Sequence, residues 1–467
     1  MKKFFVWALM ATMMVAGSAF AAGIPVANAT FATGAPTTTN NDDSCDISVA
    51  PAATLLLPYF EVDVNSTALT AQTTLFTITN VSRLPQIAHV TVWTDYSYPV
   101  LDFNIFLTGY DVQAINLYDV FVRGLVAPDN GTSNQTTPGS RSASNLTGNP
   151  NFLPGAAVAC NLTGQNRGRV PEVLRQNVLS ALTEGVFPLL CGDEIIGGTH
   201  DNAVGYITID VAATCSTNLP TEPAYFTTEI LFDNVLIGDY QQLNPNAATG
   251  NYAQGNPMVH IRAIPEGGPA GSVVATNLPY TFYSRYQSIL TPTRDRRQPL
   301  PSTFAARYIE GGAGGFVTAY KIWREGITGA GAECDEYAAL NSRMAVAEIV
   351  RFDERENPFL STAAGGFSPV PPGGVALPET ARVLTSDDIF PDLTSGDVGG
   401  WMYLNLHNNA VGAERPSQNW VIVSMFAEGR YSVDFDAAWL GNGCTGITPS
   451  PATIGPAPNF TTGGITP

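Results

Sequence analysis

Residues 88–107 read AHVTVWTDYSYPVLDFNIFL. Val90 and Val92 fall on one side of an extended chain, and Leu101, Phe103, Ile105 and Leu107 share one face of the next run. His89, Thr91 and Trp93, like Asp102 and Asn104, fall opposite. Alternation with a period of two marks a strand with one apolar and one polar face. TDYSYP between the runs has the composition of a connection. The stretch predicts two antiparallel strands, apolar side inward and Asp102 and Asn104 outward in water.

The same rhythm runs along the chain. Phe60, Val62 and Val64 alternate with Glu61 and Asp63; Phe76 and Ile78 alternate with Thr77 and Thr79; Ile115 and Leu117 continue the series. Strand-like runs return in VGYITIDVA, YFTTEILFDNVL, MVHIRAI, FVTAYKIWRE, MAVAEIVRFDE and GWMYLNLHN. The last, residues 419–440, reads as a hairpin turning near Glu428-Gly429, with Val433 and Phe435 on one face and Asp434 and Asp436 on the other. One clear helix interrupts, PEVLRQNVLSALTEG: Pro171 suits a first turn, Leu174, Val178 and Leu182 align at i, i+4 and i+8, and Gly185 suits the stop. A second short helix is expected at CDEYAALNSRM. The fold class is all-β: antiparallel β-sandwiches with long loops and one or two short helices.

The segment LFTITNVSRLPQIAHVTVWTDYSYPVLDFNIFL resembles bacterial immunoglobulin-like modules, which carry an N-x-S turn between core strands, here Asn80-Val81-Ser82. LLLPYFEVD, ITN and DFNIFLTGYD are also similar to segments of an uncharacterised group of secreted bacterial proteins. The likeness covers residues 54–120 and implies an immunoglobulin-like sandwich in the N-terminal part, with little chemistry. No cysteine lies between Cys45 and Cys160, so the pair that bridges the sheets of antibody domains is missing.

The chain opens MKKFFVWALMATMMVAGSAFAAG: two lysines, a short apolar run, then small residues. This predicts a secretory signal over residues 1–21 and export to the periplasm or the cell exterior. A flexible leader at 22–50 follows, then sandwich strands at 51–126, a polar loop at 127–169, a second mainly-β region at 170–445 and a disordered tail at 446–467. Five strands between residues 54 and 120 are too few to close a sandwich. Either the 419–440 hairpin completes the first one, or two sandwiches follow each other. No later stretch is long and apolar enough to span a membrane as a helix.

The formal net charge is −18 over 467 residues, and −20 once Lys2 and Lys3 leave with the signal. Such a surface repels nucleic acid. One lysine, Lys321, then stands against 19 arginines. Glu61/Asp63 and Asp434/Asp436 have the spacing of paired acids, but alternating acids are the ordinary wet face of a sheet. The four histidines are scattered, and HExxH, Gly-x-Ser-x-Gly and phosphate-loop patterns are absent from the sequence. No catalytic residues and no cofactor are expected. Calcium has candidates in Asp387, Asp388, Asp392 and Asp397, where oxygen ligands cluster. Arg294, Arg296 and Arg297 form a candidate for anion binding or self-association. Tyr96 and Tyr98 are candidates for a sugar platform, together with Tyr110.

The residues point to an exported, non-enzymatic structural or interaction protein of the adhesion type. Its partners would be proteins or cell-surface polysaccharide. The alternative is a carbohydrate-binding or carbohydrate-active protein. Cys45, Cys160, Cys191, Cys215, Cys334 and Cys444 are an even set in an exported chain and predict disulfides, with a lean toward Cys45–Cys444 because that bridge closes the longest loop. Thiol titration of the denatured, unreduced protein from its natural compartment should find few free groups; six would overturn the prediction.

Overall fold

Alternation yields 19 strands among the described residues of this computed structural model. It describes residues 49–126 and 170–440, leaving aside 85, 108, 214–217, 246–251, 268–269, 272–277, 279, 287–294, 327–333, 335–343, 346–347, 359–375, 385–397, 407–416 and 428–430. The signal, the leader to residue 48, the polar loop, the turn at 428–429, most of the second expected helix and the tail lie outside the described residues.

The first half supplies β1 (Thr54–Val62), β2 (Thr73–Asn80), β3 (Gln86–Thr94), β4 (Pro99–Leu107), β5 (Val112–Asn116), β6 (Ala203–Ala212), β7 (Leu236–Asn244), β8 (Tyr252–Pro257) and β9 (Val259–Ile261). The second supplies β10 (Thr303–Ile309), β11 (Phe316–Arg324), β12 (Met344–Ala345), β13 (Glu348–Asp353), β14 (Ala376–Leu377), β15 (Thr380–Leu384), β16 (Gly399–Asn405), β17 (Asn419–Ala427), β18 (Tyr431–Asp436) and β19 (Ala438–Trp439). Strands β4-β3-β6-β1-β9 form a five-stranded sheet. Strands β5-β2-β7-β8, β13-β16-β10-β19 and β15-β11-β17-β18 form four-stranded sheets, and β12 pairs with β14. The fold is all-β and antiparallel, as the alternation predicts.

The strands of residues 54–116 are completed by β6–β9, not by the C-terminal hairpin. The hairpin pairs with β11, which matches β17 residue for residue from Phe316↔Ala427 to Arg324↔Asn419. The Asn80-Val81-Ser82 turn forms as an Asx turn: Ser82 donates its N–H at 2.9 Å and its Oγ–H at 2.8 Å to Asn80 Oδ1.

One face of the five-stranded sheet is the expected apolar layer. Val90, Val92, Leu101, Phe103, Ile105, Ile207, Ile209 and Leu55 are wholly buried and share it in register. Each such side chain contributes roughly 1.5–3 kcal/mol by leaving water. The other face is also buried, which corrects the expectation of a wet side. Asp102 is 0 % exposed and Asn104 2 %, with His89, Thr91, Thr208 and Asp210 as dry. Trp93 and Tyr206 stack there, centroids 5.6 Å apart, and Trp323 of β11 meets Tyr206 edge-on. The sheet is therefore a middle layer.

Strand β18 departs from the sequence reading at two positions, with Asp434 buried and Val433 49 % exposed, while Asp436 is exposed and Phe435 packs against the core. Strand β17 turns Ser424 inward, and Asp434 sits opposite it in register. Alternation with one wet face is genuine in β2, where Phe76 and Ile78 are buried and Leu75, Thr77 and Thr79 half-exposed.

Helix α1 (Glu172–Thr183) buries Leu174, Val178, Ala181 and Leu182. Gly185 beyond it has φ +72°, and a Cβ there would meet Gly197 O at 2.1 Å, so the helix ends on glycine. The short α2 (Pro188–Cys191) follows.

Urea unfolding should separate the two kinds of polar face. Phe103→Ala costs about 3–5 kcal/mol through lost burial and a cavity. Asn104→Ala, which strips His89 of a buried hydrogen-bond partner, costs about 1–3 kcal/mol. Thr77→Ala on the solvated side stays within about 0.5 kcal/mol. Equal small losses for Asn104→Ala and Thr77→Ala would contradict the middle-layer assignment.

Candidate functional site

The buried polar face gathers Asp102, Asp210, Glu229, Asp295 and Arg297, all buried. Asp210, near the C-terminal end of β6, accepts hydrogen bonds from Tyr225 OH at 2.5 Å and Tyr283 OH at 2.6 Å, and one from Thr54 Oγ1. Arg297 Nε lies 3.4 Å from Asp210 Oδ1, and its Nη1 3.3 Å from Asp295 Oδ1. Burial works against the Arg297 charge, but Asp210 and Asp295 outweigh it and raise its pKa. One strand over, His89 Nδ1 is 2.9 Å from Asn104 Oδ1 and 3.5 Å from Glu229 Oε1. Neither carboxyl oxygen of Asp102 has a hydrogen-bond partner among the described residues. This layer is dry and closed, and it organises the fold.

The candidate arginines divide. Arg296 is buried, its guanidinium 3.8 Å from the Phe232 ring centroid, and donates to Pro265 O and Gly267 O. Burial, with Arg297 alongside, lowers its pKa to about 10. Arg297 is consumed by Asp210 and Asp295. Neither is presented to an external anion, because the acidic chain supplies internal partners. Arg294 lies outside the described residues. Tyr98 is 3 % exposed, packs against Phe187 and sets its hydroxyl 3.6 Å from Cys334 Sγ; burial pushes its pKa up to about 12. Tyr96 packs against the core, so these two rings build no sugar platform; Tyr110 is 72 % exposed.

Asp387, Asp388, Asp392 and Asp397 lie outside the described residues. Among the described residues no group of three or more His, Cys, Asp or Glu is placed to hold a metal ion, and no helix is long and apolar enough to cross a membrane. Cys191 and Cys334 form a disulfide across 143 residues, Cα atoms 5.4 Å apart. Cys45, Cys160, Cys215 and Cys444, and with them the expected Cys45–Cys444 bridge, lie outside the described residues.

A solvent-facing cleft of about 250 Å³ lies on the outer side of the β5-β2-β7-β8 sheet. Its floor is two cross-strand rows, Ala114–Thr77–Asp239 and Asn116–Leu75–Gln241. Phe76, Ile115, Asp119, Leu125 and Val126 complete the lining. Asn116 Oδ1 is held by Thr73 Oγ1 at 2.7 Å and by the Tyr118 N–H at 3.0 Å. Asp239 and Gln241 are exposed. The floor thus offers aliphatic surface, a carboxylate and amides on a rigid ladder. Sequence reading missed it because the rows join strands more than 100 residues apart.

No family model matches the chain, and no curated protein matches it. One solved structure, titled "Crystal structure of the CupB6 tip adhesin from Pseudomonas aeruginosa", aligns over 82% of this chain and 88% of that one, with 8% identity and a TM-score of 0.09. A likeness at that score carries no structural argument.

The buried carboxyls leave a pH signature. Burial raises Asp102 well above the ordinary 3.8, and Glu229 and Glu222 push the same way. Burial raises Glu379 to about 7, opposed by its Arg285 partner. The folded protein therefore keeps protons that the unfolded chain releases. This share of stability is full below the ordinary carboxyl values and is lost as pH rises through the folded values. His260, lowered to about 4 by burial, acts oppositely between there and 6.5, so the measurement compares a variant with its parent. Asp102→Asn, neutral at every pH, should flatten the fall in urea midpoint from mildly acidic to neutral buffer. An unchanged slope would remove Asp102 from the account.

Proposed function

We propose that this chain is an exported, non-enzymatic interaction protein that engages its partner through the outer face of the β5-β2-β7-β8 sheet. The cleft over the Thr77 and Leu75 rows carries the reading. It is the place where aliphatic surface, a carboxylate and an amide face solvent together on a rigid sheet. Binding residues held on paired strands lose little freedom on engaging a ligand, which favours recognition. The Cys191–Cys334 disulfide supports export, since such bonds persist in oxidising compartments. The opening MKKFFVWALM segment supports it independently. The immunoglobulin-like reading of residues 54–120 belongs to this proposal and rests on the segments quoted for it.

A carbohydrate ligand is the second reading, favoured by one observation. Asp239 and Gln241 set a carboxylate and an amide two residues apart on one face of β7, and the Asn116 amide of β5 faces them across β2. Groups of that kind hydrogen-bond adjacent hydroxyls of a sugar. A glycan array and immobilised outer-surface proteins, probed in parallel with the purified protein, distinguish the two classes. For the ligand found, Asp239→Ala combined with Gln241→Ala should weaken binding about tenfold or more, with the thermal midpoint unchanged. Parental affinity in the double variant would move the site elsewhere.

A further inference from the structure

Beyond the expected signal of residues 1–21, Lys321 is the single lysine of the chain. Lysine is almost never fully buried unless paired, yet this one is buried in β11, its side chain 0 % exposed. Its Nζ lies 2.5 Å from Asp434 Oδ2, whose side chain is also 0 % exposed. The two residues belong to strands that flank β17, and the lysine reaches diagonally across it. Ser424 of β17 donates its Oγ–H to Asp434 Oδ1 at 2.7 Å, and Gln254 Oε1 of β8 lies 3.4 Å from Nζ. Tyr240 OH and Gln254 Nε2 close the site, both buried and without a hydrogen-bond partner among the described residues. One amine and one carboxyl are thus held in contact, away from water, with a hydroxyl on the second carboxyl oxygen.

We propose that Lys321 and Asp434 condense after folding into an isopeptide bond. In water an ammonium and a carboxylate are held apart from this reaction by their hydration. Buried, both charges are costly, and a neutral amide removes them together. Burial lowers the Lys321 pKa, opposed by Asp434, which brings the neutral amine within reach.

The step balances without a co-reactant. A proton passes from Nζ to Oδ2. The freed nitrogen lone pair attacks Cγ, forming Nζ–Cγ, while Oδ1 takes up negative charge against the Ser424 hydroxyl. Collapse breaks Cγ–Oδ2, and that oxygen leaves with two hydrogens from the ammonium as water. Positioning supplies the rate, because reactants fixed in contact gain effective molarities of about 10⁵–10⁸ M. Ser424 and Gln254 are positioning residues. The product staples β11 to β18 around β17, joining strands 113 residues apart in sequence.

The test is mass spectrometry of the full exported chain, reduced and denatured. The expected mass is one water below that of the sequence from its measured N-terminus. A protease digest should yield one branched peptide containing both Lys321 and Asp434, which separates this bond from dehydration elsewhere. An N-hydroxysuccinimide ester should label the α-amine alone. In Asp434→Ala the water returns to the mass and Lys321 takes the label, a reading that holds whether or not the variant folds. A parental chain of full mass whose Lys321 is labelled on denaturation overturns the proposal, as does a water-deficient chain whose missing water maps to another residue pair.

Discussion

The ion pair of Arg297 with Asp210 is the constraint around which the rest is arranged. A carboxylate near the C-terminal end of β6, covered on both sides, is tolerable only with a full set of partners. Arg297, Tyr225, Tyr283 and Thr54 supply them from four separate stretches of chain. Removing one partner of such a pair costs about 3–5 kcal/mol, because the other charge stays buried. The requirement fixes where residues 221–232, 280–286 and 295–300 lie, since they carry Tyr225, Tyr283 and Arg297. It also makes the five-stranded sheet a middle layer, with an apolar sandwich on one side and a polar network roofed by aromatics on the other.

That arrangement shows what sequence could and could not convey. Strand existence, the antiparallel all-β class and helix α1 were legible because each depends on local period and local punctuation. The sidedness of β3, β4 and β18 was not. Alternation separates two chemical faces, and a covered polar face gives the same rhythm as a wet one. The residue types hold a usable clue. His89, Thr91, Trp93, Asp102 and Asn104 include short hydrogen-bonding chains and one large ring, but no lysine, arginine or glutamate. Long charged chains are what water-facing strands usually carry. The partners Glu229, Tyr225 and Arg297 lie far along the chain, so no window of sequence could reveal them. The same distance hid the Cys191–Cys334 pairing and the rows of the cleft.

Arginine and lysine are used in different ways inside this acidic protein. Arg297 and Arg285 neutralise buried carboxylates with planar forks, and Arg296 lies on an aromatic ring and caps carbonyls. These are tasks for a wide, delocalised cation that keeps its charge when dry. Lys321 is a compact amine capable of losing its charge, placed where charge is least welcome. The edges of two sheets also meet at this place, through Asn256–Asp436 and Ser432–Ala253 side-chain hydrogen bonds.

The position of β1 has a consequence in time. It begins near residue 54, yet both its neighbours, β6 and β9, come from residues 203–261. A ribosome adding about 5–20 residues per second leaves Leu55, Leu56, Leu57 and Phe60 without their sheet for on the order of ten seconds. Local pairs such as β3 with β4 can form meanwhile, but the central sheet cannot close until most of this span has emerged. Non-local pairing of that kind is slow. The nascent chain thus stays threadable through its first half, and its exposed leucines are ready handholds for a chaperone.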